Sequence, residues 1–67
     1  MKLNKDKLHL AMANACLTIG ELAEQSKVSR VALTRFSTGK GNPKPATIGK
    51  IAKALNVKVE DLIEGGE

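Results

Sequence analysis

Apolar residues recur at helical spacing along most of the chain, interrupted by capping and turn residues. Leu8, Ala11, Met12, Ala15 and Cys16 make one inward face, which predicts a first helix from an Asn4 N-cap to about Ala15; Leu10 falls off that stripe. Leu22, Ala23 and Ser26 share a face of a second helix, about 19–26. A third, about 30–37, turns Leu33, Phe36 and Ala32 inward behind Val28 and stops at Gly39. Lys40-Gly41-Asn42-Pro43-Lys44 is a loop. Pro45 suits the first position of a fourth helix, whose stripe is Ile48, Ile51, Ala52 and Leu55, with Asn56 as its stop. Val57, Val59, Leu62 and Ile63 predict a short fifth helix, with Glu60 and Asp61 in its first turn and Gly65-Gly66 at its end.

The second and third helices start unusually close together. Thr18 and Glu21 form a T-x-x-E capping box, and Leu17 and Leu22 occupy the positions of a hydrophobic staple. Ser29 caps the next helix, with Val28 and Leu33 at the matching positions. Lys27 and Val28 are all that remains for the turn. Two short helices on a tight turn make a helix-turn-helix unit, which can present its second helix to the major groove of DNA. Two residues work against the unit's stability. Gly20 inside a helix costs about 1 kcal/mol relative to Ala. Lys27 costs about as much if the turn requires a left-handed residue.

Composition narrows the function classes. The 67 residues allow one domain with a small core, and 42% hydrophobic content is that of a folded chain. Phe36 is the lone aromatic, so the core is aliphatic. A net charge of +4 suits a polyanionic partner but is weak evidence alone. A single cysteine, Cys16, excludes an internal disulfide framework and a four-cysteine zinc site; its Ala-rich surroundings predict a buried, reduced thiol and a cytoplasmic setting. No apolar run is long enough to span a membrane, and Asp6, His9 and Asn14 interrupt what would otherwise mimic a signal peptide after Lys2, Lys5 and Lys7. His9 lacks partners at metal-ligand spacing, Ser29 and Ser37 lack a base, and Gly39-Lys40-Gly41 lacks the spacing of a phosphate-binding loop. The expectation is a protein without enzymatic activity, metal or cofactor.

The predicted outward face of the third helix carries Arg30, Val31, Thr34, Arg35 and Thr38, with no acid. A solvated helix normally mixes signs and places acids, not Arg, in its first turn. Arg can bind guanine in bidentate fashion, and Val31 and the Thr34 methyl can meet a thymine methyl. Arg30, Val31, Thr34 and Arg35 are the candidate base readers. The bland account of each is a solvated charge, an ion-pair partner or a neutral helix residue. Thr38, Lys40, Asn42 and Lys44 lie next to the same surface and suit phosphate oxygens, as do Thr18 and Ser29 at the two helix N-termini.

Together these residues resemble the phage-repressor-like (Cro/cI, or XRE) helix-turn-helix domains. The matching residues are Leu17-Thr18, Glu21-Leu22-Ala23-Glu24, Val28-Ser29-Arg30, Leu33, Phe36, Gly39-Lys40, Pro43, Ile48, Ile51 to Val57 and Glu60 to Ile63. The resemblance implies an all-α, lambda-repressor-like compact bundle of five helices, forming a single domain over residues 1–67. It also implies a transcriptional regulator, repressor in kind, that binds double-stranded DNA as a dimer in a bacterium, phage or mobile element. The family's base-reading positions fall on Arg30, Val31, Thr34 and Arg35, and its phosphate-contacting positions on Thr18, Ser29, Thr38, Lys40, Asn42 and Lys44. The chain departs from the family in three places. Ile19 stands where a Gln is frequent, Lys27 replaces the frequent turn Gly, and Met12 and Ser37 replace an Arg–Glu pair. The competing reading is a protein-interaction module on the same fold, an antitoxin or anti-repressor component, binding through Leu10, Ile19 and the fifth-helix face. The homodimer is open between a free form and one assembled only on DNA, and no membrane partner is expected.

Overall fold

The computed structural model of the chain describes residues 2–64. Four α-helices follow one another: α1 (Lys5–Ala15), α2 (Ile19–Ser26), α3 (Arg30–Ser37) and α4 (Pro45–Leu55). α2 packs against both α3 and α4, and α1 lies across α3 and α4. Leu8, Leu22, Leu33, Ile48, Ile51 and Leu62 are fully enclosed at the centre. Every one is aliphatic, and each helix contributes at least one. Within the described residues no helix is long and apolar enough to cross a membrane.

The expected fifth helix is a single 3₁₀ turn, Val59–Asp61, so the bundle has four α-helices rather than five. The segment is too short to offset the cost of nucleating a helix. Its β-branched Val57 and Val59 alternate with Asn56 and Lys58, a strand-like spacing. The Asp61 carboxylate accepts the Lys58 amide at 3.2 Å, which tightens the turn. Ile63 then forms an antiparallel bridge with Leu3. The Asn4 amide donates to the Leu62 carbonyl and the Glu64 amide to the Lys2 carbonyl, both at 2.8 Å. Leu3 is buried by this closure, a core role that no helical stripe announces. Gly65 and Gly66, the expected terminators, lie outside the described residues.

Helix ends are set by local chemistry. Asn4 caps α1 by accepting the Asp6 and Lys7 amides. Three helices end on non-glycine residues in the left-handed region: Cys16 (φ 58°), Lys27 (φ 64°) and Asn56 (φ 58°). Behind Cys16 and Asn56 the paired backbone bonds of a Schellman motif close the last turn, Leu17 to Met12 and Val57 to Ala52. The left-handed turn swings Cys16 away from the α1 stripe, so its thiol is exposed and not buried as the neighbouring alanines implied. Leu10 is also exposed.

Candidate nucleic-acid interface

The turn 27–29 fixes α3 relative to α2. Ser26 is the one buried polar side chain among the described residues. Its hydroxyl donates to the Leu22 carbonyl at 2.6 Å and accepts the Val28 amide at 3.3 Å, joining the last turn of α2 to the chain beyond it. Lys27 reverses direction in the left-handed conformation, its amide bonded to the Ala23 carbonyl. Val28 is then driven into the core next to the fully enclosed Leu22 and Leu33. The predicted capping box is present in full: Thr18 Oγ1 accepts the Glu21 amide at 3.2 Å, and Glu21 Oε1 accepts the Thr18 amide at 2.9 Å.

α3 exposes the face that the sequence assigned to solvent. Arg30, Val31, Thr34 and Arg35 are all exposed, Val31 to 72%. At 3.6 residues per turn these positions span an arc of about 140°. Leu33 on the opposite side is fully buried, and Ala32 and Phe36 beside it are half-buried. The Thr34 hydroxyl donates to the Arg30 carbonyl at 2.9 Å, which leaves its methyl and a lone pair for an incoming group. Neither arginine has a side-chain hydrogen bond or ion pair among the described residues. The ion pair present there, Lys5 with Asp6, lies on α1. The cationic flank is therefore neither packed into the interior nor paired with a carboxylate of the described residues.

The six candidate phosphate contacts divide by the chemistry left to them. Thr18 and Ser29 use a hydroxyl lone pair to cap, accepting the Glu21 and Ala32 amides. Each O–H proton remains free to donate, so capping and phosphate binding are compatible in one group. Thr38 differs. Its hydroxyl donates to the Arg35 carbonyl at 2.8 Å, which commits its only proton. Lys40, Asn42 and Lys44 are exposed in the loop after α3. That loop leaves α3 through a Schellman closure at Gly39 (φ 85°), with Lys40 bonded to the Arg35 carbonyl and Gly39 to that of Phe36. Pro43 is buried and anchors the loop, while Pro45 opens α4.

Charge distribution is a signal that position-by-position reading passes over. Between Glu24 and Glu60 the chain has no acid, yet it carries Lys27, Arg30, Arg35, Lys40, Lys44, Lys50, Lys53 and Lys58. α1, α2 and the 3₁₀ turn hold acids; α3, the following loop and α4 hold none. The basic residues are thus concentrated in the stretch from Lys27 to Lys58, which includes α3 and the loop after it. Among the described residues no cluster of three His, Cys, Asp or Glu side chains could hold a metal ion.

Two capped helices across a tight turn, the second with a free cationic face, define a helix-turn-helix domain. A family model described as helix-turn-helix matches residues 14–62, and the chain belongs to that family, in its XRE branch. It is 48% identical over 48 residues to the HTH-type transcriptional repressor RghR of Bacillus subtilis (strain 168), covering 70% of this chain and 36% of that protein. It is 36% identical over 62 residues to the HTH-type transcriptional activator BcrR of Enterococcus faecalis, covering 92% of this chain and 30% of that protein. The chain thus spans about a third of the length of these relatives. No solved structure matches it significantly.

Proposed function

We propose that the protein is a sequence-specific, double-stranded-DNA-binding transcriptional regulator of a bacterium or phage, acting in the cytoplasm without catalysis or a cofactor. The observation that carries this reading is the exposed, acid-free flank of α3, whose arginines have no hydrogen-bond or ion-pair partner for their side chains among the described residues. α3 enters the major groove with Arg30, Val31, Thr34 and Arg35 against base edges. Thr18, Ser29, Lys40, Asn42 and Lys44 hold the phosphates that flank it, and Thr38 contributes as an acceptor or by reorienting its hydroxyl. One relative is named a repressor and another an activator, so the direction of control is assigned on the domain alone: an occupied operator excludes competing proteins, and repression is the simpler outcome.

Two copies bind one operator and meet on DNA. An open groove lined by Lys7, Leu10, Ala11, Asn14, Val57, Glu60 and Asp61 supports this arrangement. Leu10 is 64% exposed there, and the lining holds both a cation (Lys7) and carboxylates (Glu60, Asp61), a mixture that can match itself across a two-fold axis.

Selection of bound duplexes from a randomised pool tests the reading. The expected result is a short half-site, repeated in inverted orientation. Affinity for the selected duplex falls by about 0.9 log units per log unit of salt for each phosphate neutralised. Retention of no DNA at low salt, or an affinity indifferent to salt, refutes the assignment and favours a protein-interaction module.

A further inference from the structure

Gly20 looks like a flaw when only the sequence is read: a helix-weakening residue at the second position of α2. The structure gives it a neighbour. A Cβ placed on Gly20 would lie 2.5 Å from Nη2 of Arg30, 3.3 Å from its Cζ and 3.6 Å from its Nε. The guanidinium of the first residue of α3 therefore lies against the first turn of α2 with its Nη2 end nearest, in space that any other residue would fill. Gly49, the glycine inside α4, has nothing within 4 Å of the same construction.

Electrostatic attraction does not hold Arg30 there. The first turn of a helix carries partial positive charge, which disfavours a nearby cation. No carboxylate or carbonyl among the described residues accepts from the guanidinium: Glu24, the nearest acid in sequence, forms no ion pair with it, and Glu21 turns Oε1 back to the Thr18 amide. The contact is one of shape. It places the flexible end of Arg30 over Gly20 without using any of its donors on the described residues, so they are left for a ligand.

We infer that Gly20 is a positioning residue: its missing side chain lets α2 seat Arg30 and so sets the direction in which that guanidinium meets a base. The inference rests on the DNA-reading role proposed above. It adds a specificity determinant outside the recognition helix, at a position that touches no base.

Gly20→Ala tests it, with Gly49→Ala as the control. Both replace a helical glycine by the best helix former, so both retain the fold and raise the thermal midpoint. Only Gly20→Ala intrudes on Arg30. In the free protein, nuclear Overhauser contacts should join the Arg30 side chain to the Gly20 α-protons in the wild type. The assignment is simple because Arg35 is the only other arginine. Absence of those contacts overturns the proposal without reference to DNA.

On duplexes selected by the wild-type protein, Gly20→Ala should lose about 5- to 150-fold discrimination at the base pair that Arg30→Ala also relaxes, the range of one bidentate contact. Other positions should keep their preference, and Gly49→Ala should match the wild type. Adding Gly20→Ala to Arg30→Ala should change nothing further. An unaltered preference in Gly20→Ala, or an equal added loss in the Arg30→Ala background, overturns the positioning role while leaving DNA binding itself intact. Failure of the wild type to select any duplex instead overturns the functional reading.

Discussion

Replacing Lys27 by glycine should stabilise the protein, against the usual expectation that glycine weakens a helical domain. Lys27 holds φ at 64° and ψ at 23°, terminating α2 and opening the turn. In that conformation the Cβ of an L-residue crowds its own backbone, at a cost of about 1–2 kcal/mol, which glycine does not incur. Glycine gives back part of the gain, because its unfolded chain is freer by roughly 0.5–1 kcal/mol. The Lys27 side chain is exposed and has no hydrogen-bond or ion-pair partner among the described residues, so its loss removes no contact. The net expectation is a gain of about 0.5–1 kcal/mol. For a domain of this size, 1 kcal/mol corresponds to roughly 4–8 °C in Tm. Urea unfolding followed by far-ultraviolet circular dichroism reads the gain as a higher midpoint at unchanged slope. Lys27→Ala is the companion measurement. It keeps the crowded Cβ, so its stability should stay near that of the wild type. Equal stabilisation by both variants would trace the effect to the lost charge, and no stabilisation by glycine would mean that the turn is not strained.

Ser26→Ala leaves the buried Val28 amide without its acceptor and should cost about 1–3 kcal/mol in the same unfolding assay. Gly49→Ala should add about 1 kcal/mol, since open space surrounds the new methyl. At Ser29 two substitutions separate the cap from the proposed phosphate contact. Ser29→Ala should lose about 1 kcal/mol of stability. Ser29→Asp should keep that stability by capping with a carboxylate, yet bind duplex DNA markedly more weakly in a mobility-shift titration. Leu10→Lys should leave the unfolding midpoint within about 0.5 kcal/mol of the wild type, as an exposed site should. It should also abolish cooperative binding of two copies to an inverted repeat, measured by sedimentation with and without the duplex.

Much of the architecture is legible in the sequence because the helices are bounded by side chains that act locally. The Thr18–Glu21 box, the Ser29 cap, Gly39 and Pro45 each fix a boundary through atoms within a few residues of one another, and the structure places α2 and α3 where those residues do. The outward flank of α3 is legible for a similar reason, since Leu33 and Phe36 define the inner side and helical geometry does the rest. What escaped depends on partners distant in the chain. The bridge between Leu3 and Ile63 converts the last segment from an expected helix to one 3₁₀ turn, and it buries Leu3. Cys16 follows the α1 stripe by count, but its left-handed conformation takes it out of the stripe. The contact between Gly20 and Arg30 crosses from one helix to the next, and a helix-propensity scale registers only its cost.

The backbone pairing of residues 2–4 with residues 62–64 makes the described polypeptide nearly a closed loop. Lys7 reinforces it through a bond from Nζ to the Ile63 carbonyl at 2.9 Å. Fraying at one extremity consequently loosens the other: deleting 62–64 would strip Leu3 of its cover and Asn4 of its amide acceptor. Residues 2 and 64 therefore leave the domain side by side, so reporters attached at these two positions would sit together rather than at opposite poles.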